Sequence, residues 1–436
     1  MTNPLYRNDR TATHPDSWYA ATADIPPERP ALRGEVRADV CVIGAGFTGL
    51  MAALELAEAG MDVVVLDAHR AGWGASGRNG GQVGSGYNQD QRWIAARVGK
   101  DAAAALWHMT EEAKATLKER VARHAPEARF MPGVAHGAYD AVEAAELRSE
   151  VEYLNRTYGY EEAEGLTREP FQALVKSPHY QGGMIDWGAG HIHPLRYALG
   201  LAKAAEASGV RIFERSAVTS VDMTDPAIAY TDHGRVRAQF LVLAANGYLP
   251  KGIAPKVSAR TMPLNSFIAA TAPLGDRAHD VLSKDIAVAD SKFVVNYFRL
   301  SEDKRLLFGG RENYTIGFPT HIEPALRHRL ETMFPQLKGV RFDYVWGGTL
   351  GITPYRLPLL TRLAPNILSA GGFSGHGVAL SGFAGKLMAE AVRGQAERFD
   401  VMANLPTPAF PGGTLLRAPL LMAAMSWYAL RDRLNF

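Results

Sequence analysis

Cysteine occurs once in the 436-residue chain, at Cys41. A single thiol excludes an intramolecular disulfide and a thiolate metal cluster, and cysteine this sparse suits a reducing compartment. Cys41 falls inside an apolar strand pattern and reads as core. Charge of one sign is also missing: 47 basic against 45 acidic residues leave +2. That bias is too slight to mark a nucleic-acid footprint. The opening stretch, MTNPLYRNDRTATHPDSWYAATADIPPERP, is polar and proline-bearing and lacks the apolar segment of a secretory signal, so a cytoplasmic location is expected. The uncharged run Ala418 to Leu430 has 13 residues, well short of the ~20 that cross a bilayer. No transmembrane segment is expected. The run suits a peripheral membrane contact or, more readily, a helix packed on the protein or on a second subunit.

With 47% hydrophobic and 21% charged residues, the composition is globular, and the length allows two to four domains, or two that interleave. Glycine stands out. Average usage of about 7% predicts some 31 glycines, but there are 43, and 16 of them fall in three short stretches: 44–49, 72–86 and 371–385. The surplus therefore has addresses, and these are where a backbone-built site is expected.

Asp39 to Ile43 (DVCVI) is a short buried-strand pattern, and from Thr48 onward Leu50, Ala53, Leu54 and Ala57 recur at helical spacing. A second strand follows at Val63 to Leu66, ended by Asp67. This is the compact parallel unit of a doubly wound sheet. A long alanine-rich helix is expected over 91–123 and another from Pro194 to Ala205, ended by Gly209. Strands are expected at Val210 to Phe213, near Ala217 to Val221 and at Phe240 to Ala245. Strand-like segments dominate 260–349, including Phe293 to Leu300, Arg305 to Phe308 and Arg341 to Trp346. Asn366 to Ala370 then leads through GGFSGHG into a helix with Leu380, Ala384, Leu387, Met388 and Ala391 on its apolar face. No internal repeat is visible.

Gly44-Ala45-Gly46-Phe47-Thr48-Gly49 is a GxGxxG sequence, which gains a mechanism because it follows a strand and opens a helix. Gly44 permits the tight turn, Gly46 lets a pyrophosphate approach the helix N-terminus, and Gly49 lets the helix pack closely on the strand. Asp67, 23 residues after Gly44, is placed to accept a ribose hydroxyl, and its charge opposes the extra phosphate of NADP. The motif itself leaves NAD and FAD open. The loop Gly72 to Gln82 favours FAD, because a run of small residues with one arginine suits backbone amides lying against a large ring and its diphosphate.

Taken together, DVCVIGAGFTGL, Asp67, GASGRNGGQ, GHIHP at 190–194, LVLAANGY at 241–248 and GGFSGHGVALSGFAGKLMAE at 371–390 resemble the FAD-dependent amine and amino-acid oxidase superfamily, which includes D-amino-acid, glycine and sarcosine oxidases. Within it the chain is most similar to the gamma-glutamylputrescine oxidase branch. The resemblance implies an α/β fold: a Rossmann-like FAD-binding domain of the glutathione-reductase type, interleaved with an α+β substrate domain on a mainly antiparallel sheet. The expected boundaries are an N-terminal extension at 1–35, a discontinuous FAD-binding domain at 36–90, 180–250 and 350–400, a substrate domain at 91–179 and 251–349, and a tail at 401–436. It further implies non-covalent FAD. Gly44, Gly46, Phe47, Thr48 and Gly49 would lie at the diphosphate and Asp67 at the adenosine ribose. Ser76, Arg78, Asn79, Gly80, Gly81 and Gln82 would contact the flavin and ribityl region, Val218 the adenine, and Ala245 to Gly247 the cofactor edge. Gly372, Ser374, Gly375, His376 and Gly377 would face the flavin pyrimidine, where a helix N-terminus stabilises negative charge.

The candidate catalytic residues are His376, Tyr297 and Arg299. His376 either donates to the flavin or fills the turn. Tyr297 and Arg299, sharing a strand face, form either a carboxylate clamp or an ordinary strand surface. His191 and His193 have the spacing of two metal ligands, but no third is evident and no metal is expected; they either line the substrate entrance or pack beneath the flavin. Tyr87, Phe267, Tyr297, Phe298 and Trp346 either wall the substrate or pack the core. The implied reaction takes a small amine or amino acid and O2: hydride passes from carbon to flavin N5, the imine is hydrolysed, and peroxide forms. A flavin dehydrogenase serving a quinone or carrier, and a non-catalytic flavoprotein, are the alternatives.

Overall fold

The computed structural model describes residues 11–292, 295–313, 319 and 321–414. The apolar run 418–430 and the first ten residues of the expected N-terminal extension lie outside the described residues, as does the start of the expected strand 293–300.

Two sheets organise the described residues. In the first, Gly34–Ile43 pairs in parallel with Gly234–Leu243 on one side and Val63–Leu66 on the other, in the register Val40 to Phe240 and Val40 to Val63. Arg211–Phe213 and Ile367–Gly371 extend it in parallel, and Leu359–Ala364 closes an edge in antiparallel. All four residues of Val63–Leu66 are buried, as expected of a parallel strand covered on both faces. The helices Phe47–Glu58, Lys100–His124, Pro194–Ala207 and Val378–Val392 share one core on this sheet. The opposite face packs with Ile253 and Val257 and with the ribbon Val218–Asp222 and Ala227–Thr231.

The second sheet runs Phe342–Ile352, Met262–Thr271, Leu306–Asn313, Tyr297–Leu300, Ala287–Asp290, Met131–Ala138, Gly182–His191, Gln82–Val83. It is antiparallel apart from the pairing of Ala287–Asp290 with Met131–Ala138. Its core includes the buried rings of Phe171, Phe298, Phe308 and Phe334. The fold is thus the α/β arrangement expected, with a mainly parallel and a mainly antiparallel sheet interleaved along the chain.

Three expectations need correction. The helix expected over 91–123 is two, Gln91–Val98 and Lys100–His124, because Gly99 between them adopts φ 87°, which a helix cannot continue through. Both helices contribute residues to the first core rather than the second: Ala103, Leu106, Ala113, Leu117 and Val121 form a stripe that packs beside Pro194–Ala207 and Val378–Val392. Conversely Gln82–Val83 and Gly182–His191 belong to the second sheet, so the expected boundaries at 90, 91 and 180 do not follow the layers. The crossing point is Gly81, whose carbonyl accepts Ile192 N–H at 2.9 Å. Among the described residues no helix is long and apolar enough to cross a membrane.

Candidate functional site

The turn after Gly34–Ile43 is fixed by backbone. Gly44 has φ 111°, its N–H donates to Leu66 O at 2.8 Å, and a Cβ there would lie 2.8 Å from Ala244 O. Gly46 caps the helix Phe47–Glu58, and a Cβ on it would meet Ser76 Oγ at 2.8 Å, the same oxygen that accepts Phe47 N–H at 2.9 Å. At Gly49 a Cβ would be 1.8 Å from Gly44 O, so this glycine sets the helix against the turn and does not itself face the space beyond.

That space is a cavity of about 890 Å³. Gly44, Gly46, Phe47 and Thr48 line it at the first turn, and Asp67 lines it at the end of the second strand. Asp67 Oδ2 accepts Ala45 N–H and Oδ1 accepts His69 N–H, both at 2.7 Å. Burial pushes this carboxyl up to about 6 against the pull of the two amides. Since a carboxylate offers about four lone-pair sites, these two amides leave acceptor capacity on a residue that lines the cavity. Ser76 and Asn79 line it from the glycine loop, Val218 from the ribbon and Ala245 from beyond Leu243. Ser374, Gly375 and Gly377, with Val378 and Ser381 at the start of their helix, form the far end.

The other expected contacts stand back from the lining. Arg78 is buried; its Nε donates to Trp73 O at 2.6 Å, one terminal nitrogen to Gly347 O at 3.3 Å, and the guanidinium lies 4.0 Å over the Trp73 ring. It therefore ties the glycine loop to the second sheet. Gly80 O accepts Arg299 Nε at 2.9 Å, Gly81 N–H donates to Asn79 Oδ1 at 2.7 Å, and Gln82 Nε2 reaches Val288 O at 2.8 Å. Gly247 lies against Leu350 O, and Gly372 N–H donates to Asn246 Oδ1 at 2.9 Å.

Of the candidate catalytic groups, Arg299 is buried and each of its three nitrogens donates within the chain, to Gly80 O, Leu300 O, Ile192 O and Tyr19 OH. Tyr297 OH meets Ser266 Oγ at 3.0 Å. Neither residue lines the cavity, and the guanidinium is committed to joining the second sheet to the glycine loop. His376 sits between two lining residues with its ring against Gly84, where a Cβ would be 2.4 Å from Cε1. Burial lowers this imidazole to about 4, and its Nε2 is buried without a hydrogen-bond partner.

The histidine pair has separate structural tasks. His193 caps the helix Pro194–Ala207, accepting Arg196 N–H on Nδ1 at 3.2 Å, with Thr22 Oγ1 3.0 Å from Nε2. His191 Nε2 meets Asp285 at 3.2 Å. Of the five aromatic residues considered for a substrate wall, Phe267, Phe298 and Trp346 are almost wholly buried. The sole thiol, Cys41, is fully buried, and burial raises it to about 12.

Some lining residues had no local signal. His69 and Trp73 stack with ring centroids 3.5 Å apart at 4°. Ala12 N–H donates to His69 Nδ1 at 3.0 Å and Trp73 Nε1 to Thr13 O at 2.7 Å. This brings Thr11 to the cavity, a strap from 33 residues ahead of Gly44. Asn246 bridges the end of the first sheet to the far loop, and the LAANGY segment that contains it was the available clue.

The family described as FAD dependent oxidoreductase matches residues 39–391. The gamma-glutamylputrescine oxidoreductase of Escherichia coli K12 is 41% identical over 423 residues, covering 97% of this chain and 99% of that protein. A probable oxidoreductase of Rhizobium meliloti is 40% identical over 96% of this chain and 97% of its own length. Among solved structures, glycine oxidase from Geobacillus kaustophilus aligns with a TM-score of 0.70 at 21% identity, over 86% of this chain and all of that one. The last is a likeness of fold.

Proposed function

The chain belongs to the FAD dependent oxidoreductase family, and on that premise we propose that it oxidises the C–N bond of gamma-glutamylputrescine or a closely related amine, with O2 as the final electron acceptor. The observation that carries this reading is the 41% identity with a gamma-glutamylputrescine oxidoreductase along nearly the whole of both chains. The cavity fits the cofactor independently of that likeness. Two glycines whose Cβ atoms would collide with Ala244 O and Ser76 Oγ leave backbone where a diphosphate would lie, at a helix start that favours anions. Asp67 keeps acceptor capacity for a ribose hydroxyl.

When bound, FAD supplies the two-electron acceptor for the C–N bond. The chain supplies position, exclusion of water and control of protons. In this reading Gly44, Gly46 and Thr48 hold the diphosphate, Asp67 the ribose and Val218 the adenine side. The turn Ser374–Gly377 and the start of Val378–Val392 present backbone donors and a positive helix end toward the ring system. His376 is uncharged at neutral pH, so it adds no cation there. Only a neutral amine has the lone pair that helps expel hydride from the neighbouring carbon. An alkylamine of pKa about 10.4 is about 3 units from that form near neutrality, or about 4 kcal/mol. An enclosed site offsets part of this by disfavouring the ammonium. The imine is then hydrolysed by water to an aldehyde and ammonia.

An anaerobic titration of the holoenzyme with gamma-glutamylputrescine, putrescine, sarcosine and D-amino acids tests the proposal. Stoichiometric bleaching of the flavin by gamma-glutamylputrescine, followed on aeration by stoichiometric peroxide, is the expected result. Bleaching only by another amine would overturn the substrate. Recovery in air without peroxide, but with a quinone, would make the protein a dehydrogenase.

A further inference from the structure

Behind His376 lies a buried polar cluster that no step above uses. Lys114, on the helix Lys100–His124, is 3% exposed. Its Nζ donates to Ser85 Oγ and to Tyr160 OH at 2.9 Å, and forms an ion pair with Glu111, whose Oε1 lies 2.9 Å away. Ser85 Oγ and Tyr160 OH each donate onward to Asp186, at 2.6 Å to Oδ2 and 2.6 Å to Oδ1. Asp186 is 3% exposed and also accepts Gly188 N–H and Ala189 N–H at 3.0 and 3.1 Å. Two hydroxyls, 3.0 Å apart, therefore form parallel bridges between one ammonium and one carboxylate, each accepting a proton on one side and offering one on the other.

A buried ion pair that merely held the fold could be replaced by apolar residues at little or no loss. This one has features a static pair does not need. Two carboxylates face one lysine. Glu111 is about one-third exposed, and burial raises its carboxyl despite Lys114 beside it. One end of the cluster thus touches solvent through an acid that takes up protons readily. The other end backs onto the turn that lines the cavity: Ser85 follows Gly84, on which the His376 ring rests, His376 lies between the lining residues Gly375 and Gly377, and Asn88 Nδ2 donates to Ser374 O at 2.7 Å. The remaining groups facing the cluster are Lys118 on the same helix, His136 on Met131–Ala138 and Glu162 beyond Tyr160. Lys118 Nζ donates to Gly188 O at 3.0 Å. Burial lowers both Lys118 and His136, so His136 adds no positive charge near neutrality.

We propose that Ser85, Tyr160, Asp186, Lys114 and Glu111 form a proton relay that carries the ammonium proton of the amine substrate from the His376 end of the cavity to solvent. Ser85 accepts the proton and hands its own to Asp186, leaving a neutral amine and a carboxylic acid. Lys114 releases one proton to Glu111, which gives it to water. Asp186 then returns its proton through Tyr160 to the lysine nitrogen. One proton leaves, no electron moves, and every group ends as it began. Ser85 alone meets the substrate and the other four act through it, and the proposal rests on the amine-oxidation reading above.

The test is the pH profile of anaerobic flavin reduction by the holoenzyme in rapid mixing. Asp186→Asn is expected to slow reduction about 100-fold at neutral pH and to approach the wild-type rate where the free amine is itself neutral, so that the profile moves toward the amine's own pKa. Ser85→Ala removes the group that accepts the substrate's proton and is expected to fall to the Asp186→Asn level, Tyr160→Phe leaves that entry intact and is expected to cost less than about fivefold, and the double variant is expected to be no slower than Ser85→Ala. These hydroxyl variants keep the proposal testable if Asp186→Asn does not fold, and flavin absorbance with thermal melting identifies folded protein. Equal loss at every pH, or additive effects of the two hydroxyls, would overturn the relay while leaving the amine-oxidation reading in place. A wild-type flavin that no amine reduces would sink both.

Discussion

The cavity and the cluster behind its His376 end are built from different materials. At the Gly44 end, contacts come from main-chain amides and missing side chains, held within a strand, helix and strand that are adjacent in sequence. Behind the His376 end, Ser85, Lys114, Tyr160, Asp186 and His376 come from five separate segments, and the first four are joined through their side chains. The contrast separates two tasks. Binding a large anionic cofactor needs close backbone approach, which a Cβ would block. Moving protons needs groups that titrate or rotate, which backbone does not supply.

The sharpest way to break the comparison is at Gly44. Gly44→Val places a branched side chain at φ 111° against Ala244 O and is expected to weaken FAD at least about 100-fold, read as flavin retained through purification. If cofactor content is unchanged, that end is not the backbone-built one. Asp67→Asn is the next largest: losing a charged acceptor is expected to weaken FAD about tenfold to 100-fold by equilibrium titration of apoprotein. In the wild type the carboxylate is lost as pH falls through about 6, so affinity should drop below that pH by up to about tenfold per unit and stay level above it. Asp67→Asn should abolish that slope. By contrast Asp186→Asn should leave FAD affinity within about twofold while altering the pH profile of reduction. Smallest is Gly99→Ala, remote from both ends: its φ of 87° with nothing within 4 Å predicts about 1 kcal/mol of backbone strain, a melting temperature lower by about 2 °C, and unchanged turnover.

The same contrast explains what could be read ahead of the structure. Gly44 to Gly49 and Asp67 were legible because their neighbours in space are neighbours in sequence. The strand Gly182–His191 was not. Four of its ten residues are glycine, a poor strand signal, and they are there because neighbours leave no room: a Cβ at Gly183 would be 2.0 Å from His136 O and 2.6 Å from the Phe171 ring. The Lys114 cluster left one trace, a lysine on the stripe otherwise formed by Leu106, Ala113, Leu117 and Val121. Its partners at 85, 160 and 186 are set by the second sheet, and no local period could connect them. Arg299 shows the reverse: a residue of the right chemistry on the right strand, committed by the fold to Gly80 and Ile192.

The strap over the adenosine end bears on the order of assembly during synthesis. Residues 11–32 are made before the partners they dock on: Ala12 needs His69, Arg29 needs Glu214, Leu32 needs Ser216, and Tyr19 packs edge-on against Trp346 with centroids 5.3 Å apart. All of these contacts can form only once the chain has been made as far as Trp346. Thr11 therefore joins the cavity lining through contacts that its own segment, Thr13 to Trp73 and Ala12 to His69, makes with residues synthesised later.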